Sequence, residues 1–160
     1  MKYSSNNTLV VDIARDVIAE IAPQEIPIFP AATEAYFAKP AEALKQLRSK
    51  DSVLGFGMDS LAIVLTPAVL HILSKVFEFL TDIAKKAVEG GLSAEIGEVI
   101  KAMFKKSLPA EPTFPSVLTK EQIGIIHSNV LLAARKLRLP TGRAHALADA
   151  VTAQFVLPKE

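Results

Sequence analysis

The sequence predicts an all-α protein, a helical bundle of five to seven helices with a long central apolar helix and a C-terminal αα-hairpin. Apolar residues recur every three to four positions along most of the chain, which is the helical period. Prolines and glycines separate these stretches, and no stretch alternates as a strand would. The chain has 160 residues and 50% of them are hydrophobic, which is enough for a substantial core.

The first stripe of apolar residues predicts a helix over 9–22. Asn7 or Thr8 is expected to cap this helix, and Pro23 is expected to end it. The proline-rich residues 23–30 are predicted to be an extended joint. Three apolar side chains are expected to anchor this joint in the core: Ile26, Ile28 and Phe29.

The next helix is predicted in two pieces, over 32–38 and 40–48. The division follows from Pro40, which fits the first turn of a helix better than its interior. The following loop contains Gly55-Phe56-Gly57. These glycines lack the preceding strand and the Lys-Ser or Lys-Thr pair of a phosphate-binding loop, so we interpret them as a hinge.

Residues 61–88 predict the long central helix. Their polar positions follow a spacing of three and four that continues to Glu89 and forms one narrow stripe. A surface helix of a globular domain buries about a third of its circumference, and this one has apolar residues over most of its circumference. We therefore expect a bundle centre, a subunit interface or a membrane contact. Thr66-Pro67 predicts a kink or a restart, and Gly90-Gly91 predicts the end.

The second half of the chain predicts a short helix over 93–106 that begins at a Ser93 cap. Residues 107–118 contain three prolines and are predicted to be a linker. The expected organisation is therefore a helical bundle over 1–106 and a helical hairpin over 119–160. This hairpin either packs on the bundle, so that the two form one domain, or is tethered to it.

The hairpin begins with the strongest local signal of the chain. Thr119 and Gln122 have the spacing of a capping box, and Leu118 and Ile123 that of the hydrophobic staple across it. A turn that contains a proline and a glycine leads to the last helix, predicted over 143–155. Two helices joined by so short a turn form an αα-hairpin.

Catalytic, cofactor and metal sites are not expected. The chain has no cysteine, which excludes disulfides and thiolate chemistry. The three histidines lack ligand spacing, and no serine-nucleophile motif is present. The sequence therefore predicts a non-enzymatic protein with no small-molecule substrate. Its first residues lack the apolar region of a secretory signal, so we expect a cytoplasmic location, with membrane association as an alternative.

The leading functional hypothesis is a protein–protein interaction or oligomerisation protein. Excess apolar surface in a small chain indicates a face that one chain does not cover alone. We therefore expect a homo-oligomer or a protein partner on the long helix. The residues predicted to form this interface are Val69, Leu73, Val76, Phe77 and Leu80.

The alternative hypothesis is a conditionally membrane-active protein that inserts into a bilayer or forms a pore. Between residues 52 and 74, only Asp59 is charged. The uncharged stretch 60–74 has 15 residues, short of the roughly 18–20 that a permanent span needs. The predicted membrane-contact residues are Leu54, Phe56, Leu61, Val64, Leu65 and Leu70.

A third hypothesis, ranked lower, is nucleic-acid binding through the hairpin. The formal net charge is only +1, although residues 119–160 carry six basic and three acidic side chains. The predicted last helix offers almost no side chains that would read bases, so nucleic acid is an unlikely partner. The residues predicted to contact an anion are Arg135, Lys136, Arg138 and Arg143.

Overall fold

The computed structural model describes residues 5–48, 64–107 and 117–158. These parts are mostly helical, with no β-strand, which confirms the all-α class. Their seven α-helices are α1 (Ser5–Ile21), α2 (Phe29–Ala38), α3 (Pro40–Arg48), α4 (Thr66–Glu89), α5 (Ile96–Ala102), α6 (Lys120–Lys136) and α7 (Thr141–Thr152). Two short 3-10 helices occupy Pro23–Ile28 and Lys105–Ser107.

The longest of these helices is α4, with 24 residues. It contacts α1, α2, α3, α5 and α6, while α7 packs between α6 and α1. The buried apolar residues of the hairpin belong to the same hydrophobic cluster as those of α1 and α4. Residues 108–116 of the predicted linker lie outside the described residues, so the division into two domains stays a prediction.

The predicted extended joint is wrong, because residues 23–28 form a 3-10 helix. Proline fixes φ at a value that such a helix accepts. Of the expected anchors, Phe29 is buried but Ile28 is 46% exposed. The chain is already helical at Ser5, so Asn7 and Thr8 lie inside α1 and do not cap it.

The 3-10 helix places Glu25 against the start of α4, where its side chain is buried. Its carboxylate accepts hydrogen bonds from the Leu65 N–H at 2.7 Å, the Thr66 N–H at 3.0 Å and the Thr66 hydroxyl at 2.8 Å. These N–H groups have no partner within the helix, and a negative charge suits a helix N-terminus. Glu25 thus caps α4 from a residue 41 positions away.

α4 therefore begins at Thr66, five residues later than the sequence predicted. Pro67 lies in its first turn and does not kink its interior, as expected for a residue without an N–H. Thr66 is the first helical residue and donates to Glu25, whereas a capping threonine would accept from the helix. Residues 61–63 lie outside the described residues.

Two helices end in a left-handed residue. Gly91 follows α4 with a φ of 110°, and Arg138 follows α6 with a φ of 63°. In both places the N–H of the next residue, Leu92 or Leu139, donates to a carbonyl five residues earlier at 3.0 Å. This is the Schellman arrangement, which glycine adopts with less strain than any other residue. The predicted end of α4 at Gly90-Gly91 is confirmed.

The helix starts in the second half follow local capping. The capping box of α6 is confirmed, with the Thr119 hydroxyl accepting from the Gln122 N–H at 3.1 Å and the Gln122 side chain accepting in return at 2.9 Å. α5 begins at a similar box between Glu95 and Glu98, so Ser93 is not its cap. An acidic residue in a first turn is favourable for the helix dipole.

The predicted helices over 93–106 and 143–155 both end too late. Phe104 and Phe155 form an isolated antiparallel bridge instead, and its hydrogen bonds stop α5 and α7 before these residues. The two rings stack with centroids 4.8 Å apart, and Phe77 of α4 stacks on Phe104 at 5.4 Å. Tertiary pairing of buried aromatic rings thus overrides the local helical pattern.

We predict that Glu25→Gln lowers the free energy of unfolding by about 2 kcal/mol, because an amide group replaces an acceptor oxygen that faces buried donors. Denaturant unfolding measures this change. Glu34→Gln, on the exposed surface of α2, is the matched control and is expected to leave stability unchanged. Equal stability of the two variants would show that Glu25 does not hold α4.

We also predict opposite effects for two Gly→Ala substitutions. Gly91→Ala is expected to cost about 1 kcal/mol because alanine is strained in the left-handed region. Gly124→Ala, inside α6, is expected to gain about 0.5–1 kcal/mol from helix propensity. An added methyl group meets nothing within 4 Å at either position, so thermal unfolding reports backbone conformation alone. A stabilising Gly91→Ala would contradict the turn geometry.

Candidate functional site

A groove runs between α4 and α6 and has a volume of about 410 Å³. This is within the size range of ligand sites, which are mostly apolar with a few polar groups. Both helices that form it are capped at their N-termini and ended by a left-handed residue. The residues that line the groove are His71, Ile72, Lys75, Val76, Phe79, Ile126, Asn129, Leu132, Ala133, Lys136 and Leu137.

The α4 wall is made of His71, Lys75 and Phe79. These residues are four positions apart and therefore lie on one face of the helix. Ile72 and Val76 lie beside them and are buried, so they form the apolar floor. Phe79 is only half-buried, which means that part of its ring faces the groove without cover from the chain.

The α6 wall is made of Asn129, Leu132 and Lys136, which are also spaced at three and four. Leu132 is 54% exposed, so much of its side chain is open to a partner. Ile125 lies seven residues before Leu132, on the same face, and is 46% exposed. The α6 wall therefore presents a second apolar row outside the one that packs on α4 and α7.

Among the lining residues, only Lys75 and Lys136 carry a full charge at neutral pH. Neither forms a salt bridge within the part of the chain that the structure describes. The pKa of His71 is lowered by burial and next by the positive charge of Lys75, while Glu78 acts in the opposite direction. His71 is therefore neutral at pH 7, and the groove combines an apolar floor with two ammonium groups.

His71 is linked to a small polar cluster at one side of the groove. The Tyr36 hydroxyl lies 3.5 Å from its Nδ1, at the limit of a hydrogen bond. Burial raises the pKa of Tyr36, and a hydrogen bond with Ser74 opposes this shift. The Ser74 hydroxyl itself donates to the Leu70 carbonyl at 2.9 Å. The Ser74 hydroxyl proton is therefore directed to the helix backbone.

The five residues predicted to form an interface are at most 5% exposed, and all of them belong to the hydrophobic core of the chain. They belong to α4, which contacts α1, α2, α3, α5 and α6. Of the five, only Val76 also lines the groove. The structure thus places these residues in the core, where they stabilise the fold.

The predicted membrane-contact residues are divided between two regions. Leu54, Phe56 and Leu61 lie outside the described residues. Val64 is half-buried, and Leu65 and Leu70 are buried against the bundle. Within the described ranges, no helix combines the length and the apolar character that a membrane crossing requires.

The predicted anion-contact residues differ in exposure and in contacts. Lys136 lines the groove, whereas Arg135 and Arg138 are exposed on the surface. Arg143 is half-buried, and its Nη1 donates to the Ile21 carbonyl at 2.9 Å, which ties α7 to the end of α1. The described residues contain no group of three or more side chains that could hold a metal ion.

Sequence reasoning missed the groove, although a signal for it was present. The sequence contains two adjacent apolar pairs in α6, Ile125-Ile126 and Leu131-Leu132, and Ile125 and Leu132 are seven residues apart. One member of each pair points to the core and the other faces outward. A stripe that is one residue too wide on a surface helix indicates a second contact face.

No family model matches this chain, and neither the curated proteins nor the solved structures contain a match to it.

We predict that His71 titrates below its ordinary pKa of about 6.5. Lys75→Met is expected to raise this pKa and Glu78→Gln to lower it further. Since the unfolded chain binds the proton at higher pH, stability should decrease as the pH falls from about 6.5 through the folded pKa. NMR titration of the imidazole measures the pKa, and a midpoint at or above 6.5 would contradict the assigned environment.

Proposed function

We propose that this chain is a non-enzymatic interaction protein that binds a helical segment of another protein in the α4–α6 groove. The observation that carries this proposal is the pair of incompletely covered apolar side chains that face the groove, Phe79 on α4 and Leu132 on α6. A groove between two helices is a common receptor for an amphipathic helix, which inserts its apolar residues between the walls.

The chemistry of the groove supports binding rather than catalysis. The lining residues include no carboxylate, so the one histidine has no acidic partner among them. General acid–base catalysis needs a proton donor or acceptor that can reach a substrate and has a partner for the second transfer. The apolar floor instead offers area that a partner would remove from water, which is the main driving force of association.

The proposed interface replaces the one predicted on the buried face of α4. Val69, Leu73, Phe77 and Leu80 would have to leave the core to meet a partner, because the chain's own helices cover them. We therefore propose that α4 acts as the long central helix of the bundle on that face. Its opposite face, from His71 to Phe79, provides one wall of the docking site.

A helical peptide library displayed on phage tests this proposal without assuming the composition of the partner. We expect selected peptides to lose at least about tenfold in affinity with Leu132→Glu, because the substitution places a charge in the apolar wall. Leu157→Glu is the matched control, since Leu157 is 63% exposed and lies outside the groove. Peptides that bind both variants equally would contradict the proposed site.

Light scattering coupled to size exclusion determines whether the partner is a second copy. For a heterologous partner, we expect a monomer across micromolar concentrations. A dimer that Leu132→Glu dissociates would identify a second copy as the occupant of the groove. A dimer that persists in Leu132→Glu would place self-association on another surface, and the peptide selection would then decide alone whether the groove binds a partner.

A further inference from the structure

We propose, building on the function above, that the partner helix is acidic, with three apolar anchors over two turns and with Asp or Glu residues on both sides of them. The groove supplies one complementary cation from each wall, Lys75 from α4 and Lys136 from α6. This inference concerns the chemistry of the partner, so it can fail while the docking site itself stands.

The length of the groove sets the number of anchors. Its lining extends from residue 71 to residue 79 on α4 and from 126 to 137 on α6. At about 1.5 Å per residue, these distances are roughly 12 Å and 16 Å. Apolar residues at i, i+4 and i+7 of a partner helix span roughly 10 Å at the same rise. A partner segment of two helical turns with three apolar anchors therefore matches the length of the α4 wall, which is the shorter of the two.

The charges of the groove determine the composition beside the anchors. Both charged lining residues are basic, and the acidic residues of the neighbouring α4 turns, Glu78 and Asp82, do not line the groove. Both lysines are exposed and make no salt bridge in the described ranges. A basic partner would place like charges together, whereas an acidic one pairs with both walls, which favours specificity and fast association.

The walls favour a helix over an extended peptide. Both are α-helices whose backbone groups are bonded internally, so the groove has no free strand edge on which a peptide could pair. Recognition must come from side chains, and the side-chain rows on the walls repeat at helical spacing. Asn129, exposed on the α6 wall, adds a polar contact between the apolar floor and the solvent.

Three designed peptides test the inference. Each has 16 residues, the same leucines at i, i+4 and i+7, and either Glu, Gln or Lys at every flanking position. We expect the Glu peptide to bind about tenfold tighter than the Gln peptide and the Lys peptide to bind weakest. Increasing salt should reduce these differences. Calorimetry measures affinity, and amide chemical shifts locate the bound peptide.

A charge reversal provides the decisive comparison. In the double variant Lys75→Glu and Lys136→Glu, the order of the peptides should invert, with the Lys peptide tightest. The control is Lys85→Glu with Lys101→Glu, which changes the net charge equally at exposed positions outside the groove. This control should keep the original order, which separates local pairing from the effect of net charge.

The remaining outcomes distinguish a failure of the acidic-partner proposal from a failure of the proposed docking site. Equal binding of the three peptides in the groove would overturn the acidic partner and keep the docking site. An order that also inverts in the control variant would overturn the role of Lys75 and Lys136. Absence of binding by all three peptides, or shifts confined to residues outside 71–79 and 126–137, would overturn both proposals.

Discussion

The carboxylate of Glu25 is the interaction on which the rest of this structure depends. It satisfies two N–H groups and one hydroxyl at the start of α4, which are donors that a helix cannot satisfy internally. A buried carboxylate needs such donors, since its burial is otherwise costly. The Glu25 side chain therefore links the 3-10 helix after α1 to the start of α4, and α4 in turn contacts α1, α2, α3, α5 and α6.

With α4 fixed in this way, its two faces have different roles. The face that carries Leu73 and Leu80 is covered by helices of the same chain, and its burial stabilises the fold. The face from His71 to Phe79 contacts Tyr36 of α2 through His71 and forms one wall of the groove. Most of the apolar side chains of α4 are thus buried within one chain, and one of the exposed large apolar residues, Leu132, lines the groove.

The sequence predicted those features that local chemistry determines. The capping box at Thr119, the break before Pro40 and the end of α4 at Gly91 each depend on residues a few positions apart. The predictions from sequence failed where residues far apart in the chain determine a helix end, as with the Glu25 cap and the bridge between Phe104 and Phe155. The groove was predictable only in part, because the outward apolar residues of α6 are visible in the sequence, whereas the α4 wall that faces them is not.

The accessibility of methyl groups to a soluble paramagnetic probe distinguishes the buried face of α4 from the open groove beside it, whose α6 wall carries Leu132. We expect strong broadening of the Leu132 methyl signals. In this arrangement the signals of Leu73 and Leu80 are protected, comparable with those of Ile13 in the core. Broadening of Leu73 and Leu80 to the level of Leu132 would contradict it, because the chain would then leave the predicted interface of α4 uncovered.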